Sequence, residues 1–331
     1  MKLSTLIIAA LAVMSTAPVA NAASSLNLAN YAVSATYSLD VLNGTSGGIS
    51  GLEASAVTYA QDRGSLFFVG DEGTGVIEIS LTGQTLGYMN FDWTNTGSTK
   101  HDTEGLTYLG NGTLVVGEER LYDAYRFNYS AGGTASLANN SVSISNANVG
   151  NSGMEGISYD ARNGGSFVTI KQEAPEDILG GTLTFGANGS GVATMSQLFD
   201  PSILGLSTLS DVQTLSSVTS LSGTSGMDNL LLLSLGSKML VEVNRQGQLI
   251  SSFDLSSVVP HNAIEGITID ENGTIYLVAE QEQDGSVALE DARSKLIILS
   301  SNITAVPEAN SLGMLLAGLG LMSFVMRRRI K

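Results

Sequence analysis

Acids that recur at one position of a repeated motif are the residues best suited to chemistry in this chain. Glu104-Gly105-Leu106-Thr107-Tyr108, Glu155-Gly156-Ile157-Ser158-Tyr159 and Glu265-Gly266-Ile267-Thr268-Ile269 share the form Glu-Gly-apolar-Ser/Thr-apolar. Ser55-Ala56-Val57-Thr58-Tyr59 and Ser216-Ser217-Val218-Thr219-Ser220 are weaker copies with Ser in place of Glu. Further acids, Asp71, Glu119, Glu173 and Glu280, follow the next apolar run of four copies. Carboxylates gathered in one place repel one another, and a hard cation with six to eight oxygen ligands relieves that repulsion. Calcium is therefore the expected ion, with Glu104, Glu155 and Glu265 nearest to it and Asp71, Glu119, Glu173 and Glu280 as an outer acidic shell. A second reading stays open: each Glu-Gly pair accepts backbone hydrogen bonds from a neighbouring element. His101 stands three residues before Glu104, and His261 four before Glu265. Either is a candidate general base beside a calcium-bound water, or both are loop histidines on an acidic surface.

Composition narrows the chemistry. The absence of Cys excludes disulfides, thiolate metal sites and cysteine nucleophiles, and two His are too few for transition-metal cages. No G-x-S-x-G elbow occurs, and Gly132-Gly133 and Gly180-Gly181 lack the Lys and the strand-to-helix context of a phosphate loop. The net charge of −16 argues against nucleic acid as a partner.

The elements that must position the acids follow from the repeat. Measured from Ser55, the copies are spaced by 49, 51, 61 and 49 residues, and a period of this size signals stacked supersecondary units. In each unit a turn leads to a second apolar strand: Leu66–Val69, Leu114–Val116, Phe167–Ile170, Leu230–Leu233 and Ile275–Val278. Third and fourth strands follow, as in Val76–Ile79 with Thr85–Tyr88 and Leu240–Val243 with Gln248–Ile250. With only 14% charged residues and 38 Gly, the chain is expected to be all-β. Four antiparallel strands repeated five times about an axis describe a five-bladed β-propeller, whose innermost strands line a central channel. Asn30–Leu39 is expected to close the ring by adding a strand to the last blade, beside Leu296–Leu299.

Both ends read as addresses. Residues 1–22 carry Lys2, an apolar run from Leu6 to Met14 and Ala20-Asn21-Ala22, the pattern of a signal peptide cut by signal peptidase after Ala22. Residues 306–331 carry Pro307-Glu308, an apolar segment from Ser311 to Met326 and Arg327-Arg328-Arg329. That segment is long enough to enter a membrane as a helix, with its arginines on the cytoplasmic side. The propeller body, 23–305, then holds 10 basic and 30 acidic residues, a net of −20.

The tail resembles the PEP-CTERM sorting signal of Gram-negative bacteria. That resemblance implies processing by an exosortase near Pro307-Glu308 and delivery to the periplasm, cell surface or exopolysaccharide matrix. A plain C-terminal membrane anchor is the alternative. The body resembles the SdiA-regulated family over roughly residues 29–304. The resemblance rests on Ile49-Ser50-Gly51-Leu52 with Asp71-Glu72-Gly73, Asp102-Thr103-Glu104-Gly105 with Glu118-Glu119-Arg120, and Met154-Glu155-Gly156 with Ile264-Glu265-Gly266. It implies a five-bladed propeller, distantly similar to NHL-repeat proteins, with a calcium site and no settled biochemical activity. Two functions are expected to compete. One is an exported calcium-binding propeller that holds an exopolysaccharide or surface protein at its acidic channel face. The other is a calcium-dependent hydrolase of lactones or carboxylic or phosphoric esters.

Overall fold

The structure, a computed structural model, describes residues 24–39, 49, 53–145, 149–172, 176–281 and 293–302. The strands, in chain order, are β1 (Tyr31–Ser38), β2 (Ala54–Ala60), β3 (Ser65–Gly70), β4 (Gly75–Ile79), β5 (Thr85–Asp92), β6 (Thr103–Gly110), β7 (Thr113–Glu118), β8 (Asp123–Asn128), β9 (Thr134–Ser136), β10 (Ser141–Ser143), β11 (Met154–Asp160), β12 (Ser166–Lys171), β13 (Asp177–Thr184), β14 (Val192–Phe199), β15 (Leu209–Thr214), β16 (Leu230–Ser234), β17 (Met239–Val243), β18 (Leu249–Asp254), β19 (Ile264–Ile269), β20 (Ile275–Ala279) and β21 (Lys295–Ser301). They form five sheets, the blades of a propeller: β2-β3-β4-β5-β9, β6-β7-β8-β10, β11-β12-β13-β14, β15-β16-β17-β18 and β19-β20-β21-β1. The first strand of each blade is innermost, and β2, β6, β11, β15 and β19 neighbour one another in a ring.

The apolar runs legible in the sequence become second strands because both of their faces are buried. In β16, Leu231 and Leu233 point into the core shared with the fifth blade, while Leu230 and Leu232 point into the core shared with the third. Phe67 and Val69 of β3 face the second blade, and Leu66 and Phe68 face the fifth. Side chains alternate across a strand, so a strand between two neighbours must be apolar throughout.

Closure uses both ends of the propeller body. β1 pairs antiparallel with β21 as the outermost strand of the fifth blade. Ahead of it, the Leu26 N–H donates to both carboxylate oxygens of buried Glu242 at 3.2 and 3.1 Å, and Leu26 and Leu28 enter the core between the fourth and fifth blades. The connection between β8 and β10 lends β9 to the first blade, parallel to β5.

The fourth blade corrects the sequence reading. Its inner strand is Leu209–Thr214, not Ser216–Ser220, and residues 219–221 form a short 3-10 turn. The segment from Phe199 to Leu215 contains that inner strand, and the extra residues of this blade lie between β15 and β16. The signal masked itself: Asp211 stands where the other copies have Gly or Ala. With this placement the motif spacings become 49, 51, 55 and 55.

Candidate metal centre at the channel mouth

One irregularity recurs in every inner strand. The pairing register between first and second strands skips a residue between Ala54 and Ala56, Thr103 and Gly105, Met154 and Gly156, Leu209 and Asp211, and Ile264 and Gly266. The skipped residues are Ser55, Glu104, Glu155, Ser210 and Glu265. A β-bulge re-aims the side chain of its extra residue, so at this recurring bulge the glutamate of three blades and the serine of the other two leave the ladder's alternation.

The next residue in each motif explains the glycine. A Cβ on Gly156 would lie 2.9 Å from Asp211 Cα, and one on Gly266 would lie 2.9 Å from Ala56 Cα. Glycine there lets neighbouring inner strands approach. The Ser/Thr three residues past the bulge then ties those strands together. The N–H groups of Tyr59, Tyr108 and Tyr159 donate to the hydroxyls of Thr268, Thr58 and Thr107, each at 3.0 Å, and the Thr214 N–H donates to Ser158 Oγ at 2.9 Å. Between β15 and β19 the link is made by Asp211, which accepts from the N–H groups of Ile267 and Val212, both at 2.7 Å. Hydroxyls and Asp211 therefore share the interblade bonding with backbone contacts such as the Thr103 N–H to the Asp71 carbonyl at 3.3 Å. Among the described residues, no backbone N–H donates to Glu104, Glu155 or Glu265.

A second repeated contact fixes the outer acids. The residue after each second strand donates its N–H to the carbonyl two residues before the bulge: Asp71 to Glu53, Glu119 to Asp102, Gln172 to Gly153, Leu235 to Thr208 and Glu280 to Ala263. Asp71, Glu119 and Glu280 are thus equivalent. Their counterpart in the third blade is Gln172; Glu173 is one residue further on and lies outside the described residues.

Charge crowds at this end of the channel. Ligand oxygens of Glu53, Asp71 and Glu72 lie within 4.8 Å of one another, as do those of Asp71, Asp102 and Glu104. Asp71 belongs to both groups, and its Oδ1 is buried with no hydrogen-bond partner among the described residues. Burial, with Glu53, Glu72 and Asp102 nearby, pushes the Asp71 carboxyl up to about 8. Burial, then the charges of Glu155, Glu265, Asp102 and Asp71, holds Glu104 well above the usual carboxylate range. Glu155 is raised to about 10 by burial and the facing Glu119, which burial and Asp102 raise to about 7. Burial and the facing Glu280 hold Glu265 high as well. One compensating charge is Arg120, whose Nε donates to Asp102 Oδ2 at 2.7 Å.

The three repeated glutamates therefore sense one another, and each also has an acid partner outside the repeat position: Glu104 shares a triad with Asp71 and Asp102, Glu155 feels Glu119 most, and Glu265 feels Glu280 most. Glu53 and Asp102 escaped the sequence reading as site residues. A signal existed, since each stands two residues before its bulge, but only two of the five copies carry an acid there. The fourth blade contributes Ser210 and Leu235 at the acidic phases. His101, at φ 63°, stacks on Trp93 with ring centroids 5.0 Å apart and 9° between planes. Trp93 Nε1 donates to the Gly73 carbonyl at 2.7 Å, beside the Asp71-Glu72 corner. His261 is exposed in the turn ahead of β19.

All-oxygen donors at this spacing suit a hard cation. Oxygens bound about 2.4 Å from one calcium ion can stand no more than about 4.8 Å apart, the span within each triad. Among the described residues, both triads consist of carboxylates alone, without the nitrogen or sulfur ligands common in zinc sites.

Among solved structures, the chain is similar to a luciferin-regenerating enzyme at 9% identity, covering 75% of this chain and 91% of that one, with a TM-score of 0.44. It is also similar to the Cps50 (Swd1) β-propeller domain of Myceliophteria thermophila at 12% identity, covering 78% and 71%, with a TM-score of 0.38. A protein of unknown function from Bacteroides caccae matches at 14% identity, covering 69% and 70%, with a TM-score of 0.36. The PEP-CTERM protein-sorting motif matches residues 305–329, which marks an exported chain with a C-terminal sorting tail and implies exosortase processing. Among the described residues no helix is long and apolar enough to cross a membrane; the terminal segments 1–22 and 306–331 lie outside them. The SdiA-regulated family model matches residues 29–283, most of the chain and four blades with much of the fifth, and this five-bladed β-propeller belongs to that family.

Proposed function

We propose that the protein is an exported calcium-binding propeller that holds a ligand or partner at its acidic channel mouth. Signal peptidase removes residues 1–22, and exosortase processing near Pro307-Glu308 follows transient anchoring by the apolar segment from Ser311 to Met326. The body then resides in the periplasm, at the cell surface or in the extracellular matrix, where its partner is an exopolysaccharide or a surface protein. Asp71, Asp102 and Glu104 would hold the calcium, with Glu53 and Glu72 forming a second triad that shares Asp71. Glu155, Glu265, Glu119 and Glu280 supply the surrounding negative field, and Glu173 is its expected contributor from the third blade.

The observation that carries this reading is the position of Asp71. It is shared by two triads of carboxylates, and one of its oxygens is buried without a hydrogen bond. Desolvating an acid among acids is costly unless a cation or a proton compensates it. The binding role has more support than the hydrolase. His101 is stacked on Trp93, and His261 is exposed in a turn.

The test is thermal unfolding of the full body with calcium and with EDTA, alongside Trp93 fluorescence. Calcium at a hundredfold excess over its dissociation constant is expected to stabilise by about 2.7 kcal/mol. It is also expected to change Trp93 emission, because the indole is tied to Gly73 next to Asp71-Glu72. Neither response in the parent chain would remove the proposal, and so would an undiminished response in the double variant Asp71→Asn, Glu104→Gln.

A further inference from the structure

The opposite end of the channel holds a second cavity. Where the inner strands finish, a cavity of about 490 Å³ opens below the belt of hydroxyl links, within the size range of small-molecule sites. Its lining includes Thr58, Thr107 and Thr268, all at most 5% exposed. Each of these hydroxyls accepts one neighbouring N–H, yet donates to no described residue. A hydroxyl carries one donor and two acceptor positions, so three buried O–H donors remain unspent beside one cavity.

The walls and rim supply the complementary groups. Tyr59, Tyr108 and Tyr159 occupy the same repeat position in three consecutive blades and line the cavity. Each ring packs on an aromatic neighbour, Tyr276, Phe67 and Phe167 respectively, which fixes its orientation. Leu109 and Ile269 add apolar wall, while Asp62 and Glu271 bring carboxylates to the rim. Arg162 also lines the cavity, but its charge is already engaged by Asp160 at 2.6 Å and Asp228 at 2.9 Å.

A ligand for this cavity needs acceptors toward the threonines, donors toward Asp62 and Glu271, and C–H surface against the rings and Leu109. Hydroxyl groups serve as donors and acceptors alike. An anion would meet two carboxylates and a guanidinium already neutralised. A simple cation would leave the threonine donors unused. We infer that this cavity is a binding site for a neutral sugar, one or two units of an uncharged oligosaccharide, and that it works without calcium. The two mouths then differ in chemistry: the acidic one takes the ion and the partner proposed above, and the tyrosine-lined one takes a neutral sugar.

The experiment is saturation-transfer NMR followed by calorimetry on the full body in EDTA. The probes are maltohexaose, cellohexaose, mannohexaose and chitohexaose, with spermine and inorganic phosphate as charged competitors. At least one hexaose is expected to bind at millimolar concentration or below, and neither competitor should displace it. Tyr159→Phe and Glu271→Gln, which delete one hydroxyl and one charge without opening a void, are each expected to weaken it about tenfold, roughly 1.4 kcal/mol. Glu104→Gln, at the other mouth, should leave it unchanged. The inference is overturned if no hexaose binds, if spermine or phosphate displaces it, if binding requires calcium, or if both lining variants bind like the parent. Because calcium is absent, the result is separate from that of the metal test.

Discussion

The two ends of the same five inner strands treat buried charge in opposite ways. Where the strands begin, Glu53, Asp71, Glu72, Asp102 and Glu104 crowd together, with Arg120 as a partner for Asp102. Where they end, Asp160 is bound by Arg162, Arg162 also holds Asp228, and these contacts draw the Asp160 carboxyl below its ordinary range despite its burial. Buried acids elsewhere are answered too: Glu78 takes both Arg63 nitrogens at 2.8 Å, and Glu242 takes Leu26, Asn229 and Ser251. The same fold thus answers these structural acids and leaves a crowd of acids under-compensated at one mouth, while single buried oxygens of Asp123 and Glu271 also lack a hydrogen bond among the described residues. That difference separates architecture from chemistry, and it can be broken from either side.

The largest effect is expected at an answered acid. Asp211→Ala strips the acceptor from two buried N–H groups and should cost about 3 kcal/mol of unfolding free energy in urea titrations. The calcium response should survive in the folded fraction. Next comes the crowded mouth. Glu104→Gln should abolish most of the roughly 2.7 kcal/mol stabilisation by saturating calcium while raising the stability of the calcium-free protein, because one repelling carboxylate is gone. A matched control, Asp160→Asn, should lower stability and leave the calcium response intact.

The pH profile sharpens the contrast further. Asp71, Glu119 and Glu155 are raised in the folded state to about 8, 7 and 10. Unfolded carboxylates titrate near about 4. Between those values the folded chain holds protons that the unfolded chain has released, so stability without calcium falls as pH rises from about 5 to about 8. Denaturant midpoints measured in EDTA across that range should show the decline, and saturating calcium should flatten it. The smallest effect is at the belt. Thr107→Val removes the acceptor for the Tyr159 N–H and should cost about 1 kcal/mol, whereas Thr107→Ser should cost little.

Much of the fold was legible because it depends on burial. Strands such as β3 and β16 carry unbroken apolar runs, Leu66–Val69 and Leu230–Leu233, since neighbouring blades cover both faces. Turns were legible where the backbone demanded it: Asn111 and Gly112 between β6 and β7 both take positive φ. The fourth inner strand was not, because Asp211 replaces the small residue that marks the motif and the apolar pattern reappears at Ser216. The acids were half legible. Repeat phase picked out Glu104, Glu155 and Glu265, but which carboxylates share an ion's width depends on where each bulge aims its side chain. Glu53 and Asp102 act through that geometry and carry no repeat across the five blades. Glu173 shows the converse, since a one-residue offset in the hydrogen-bond pattern gives its expected place to Gln172.

The most direct measurement is an anomalous difference map from crystals of the body grown with calcium. The account predicts an ion peak at the channel mouth within about 2.3–2.6 Å of Asp71 and Glu104 oxygens. A map with no peak there, in which those carboxylates instead bond to one another or to backbone amides, would contradict it.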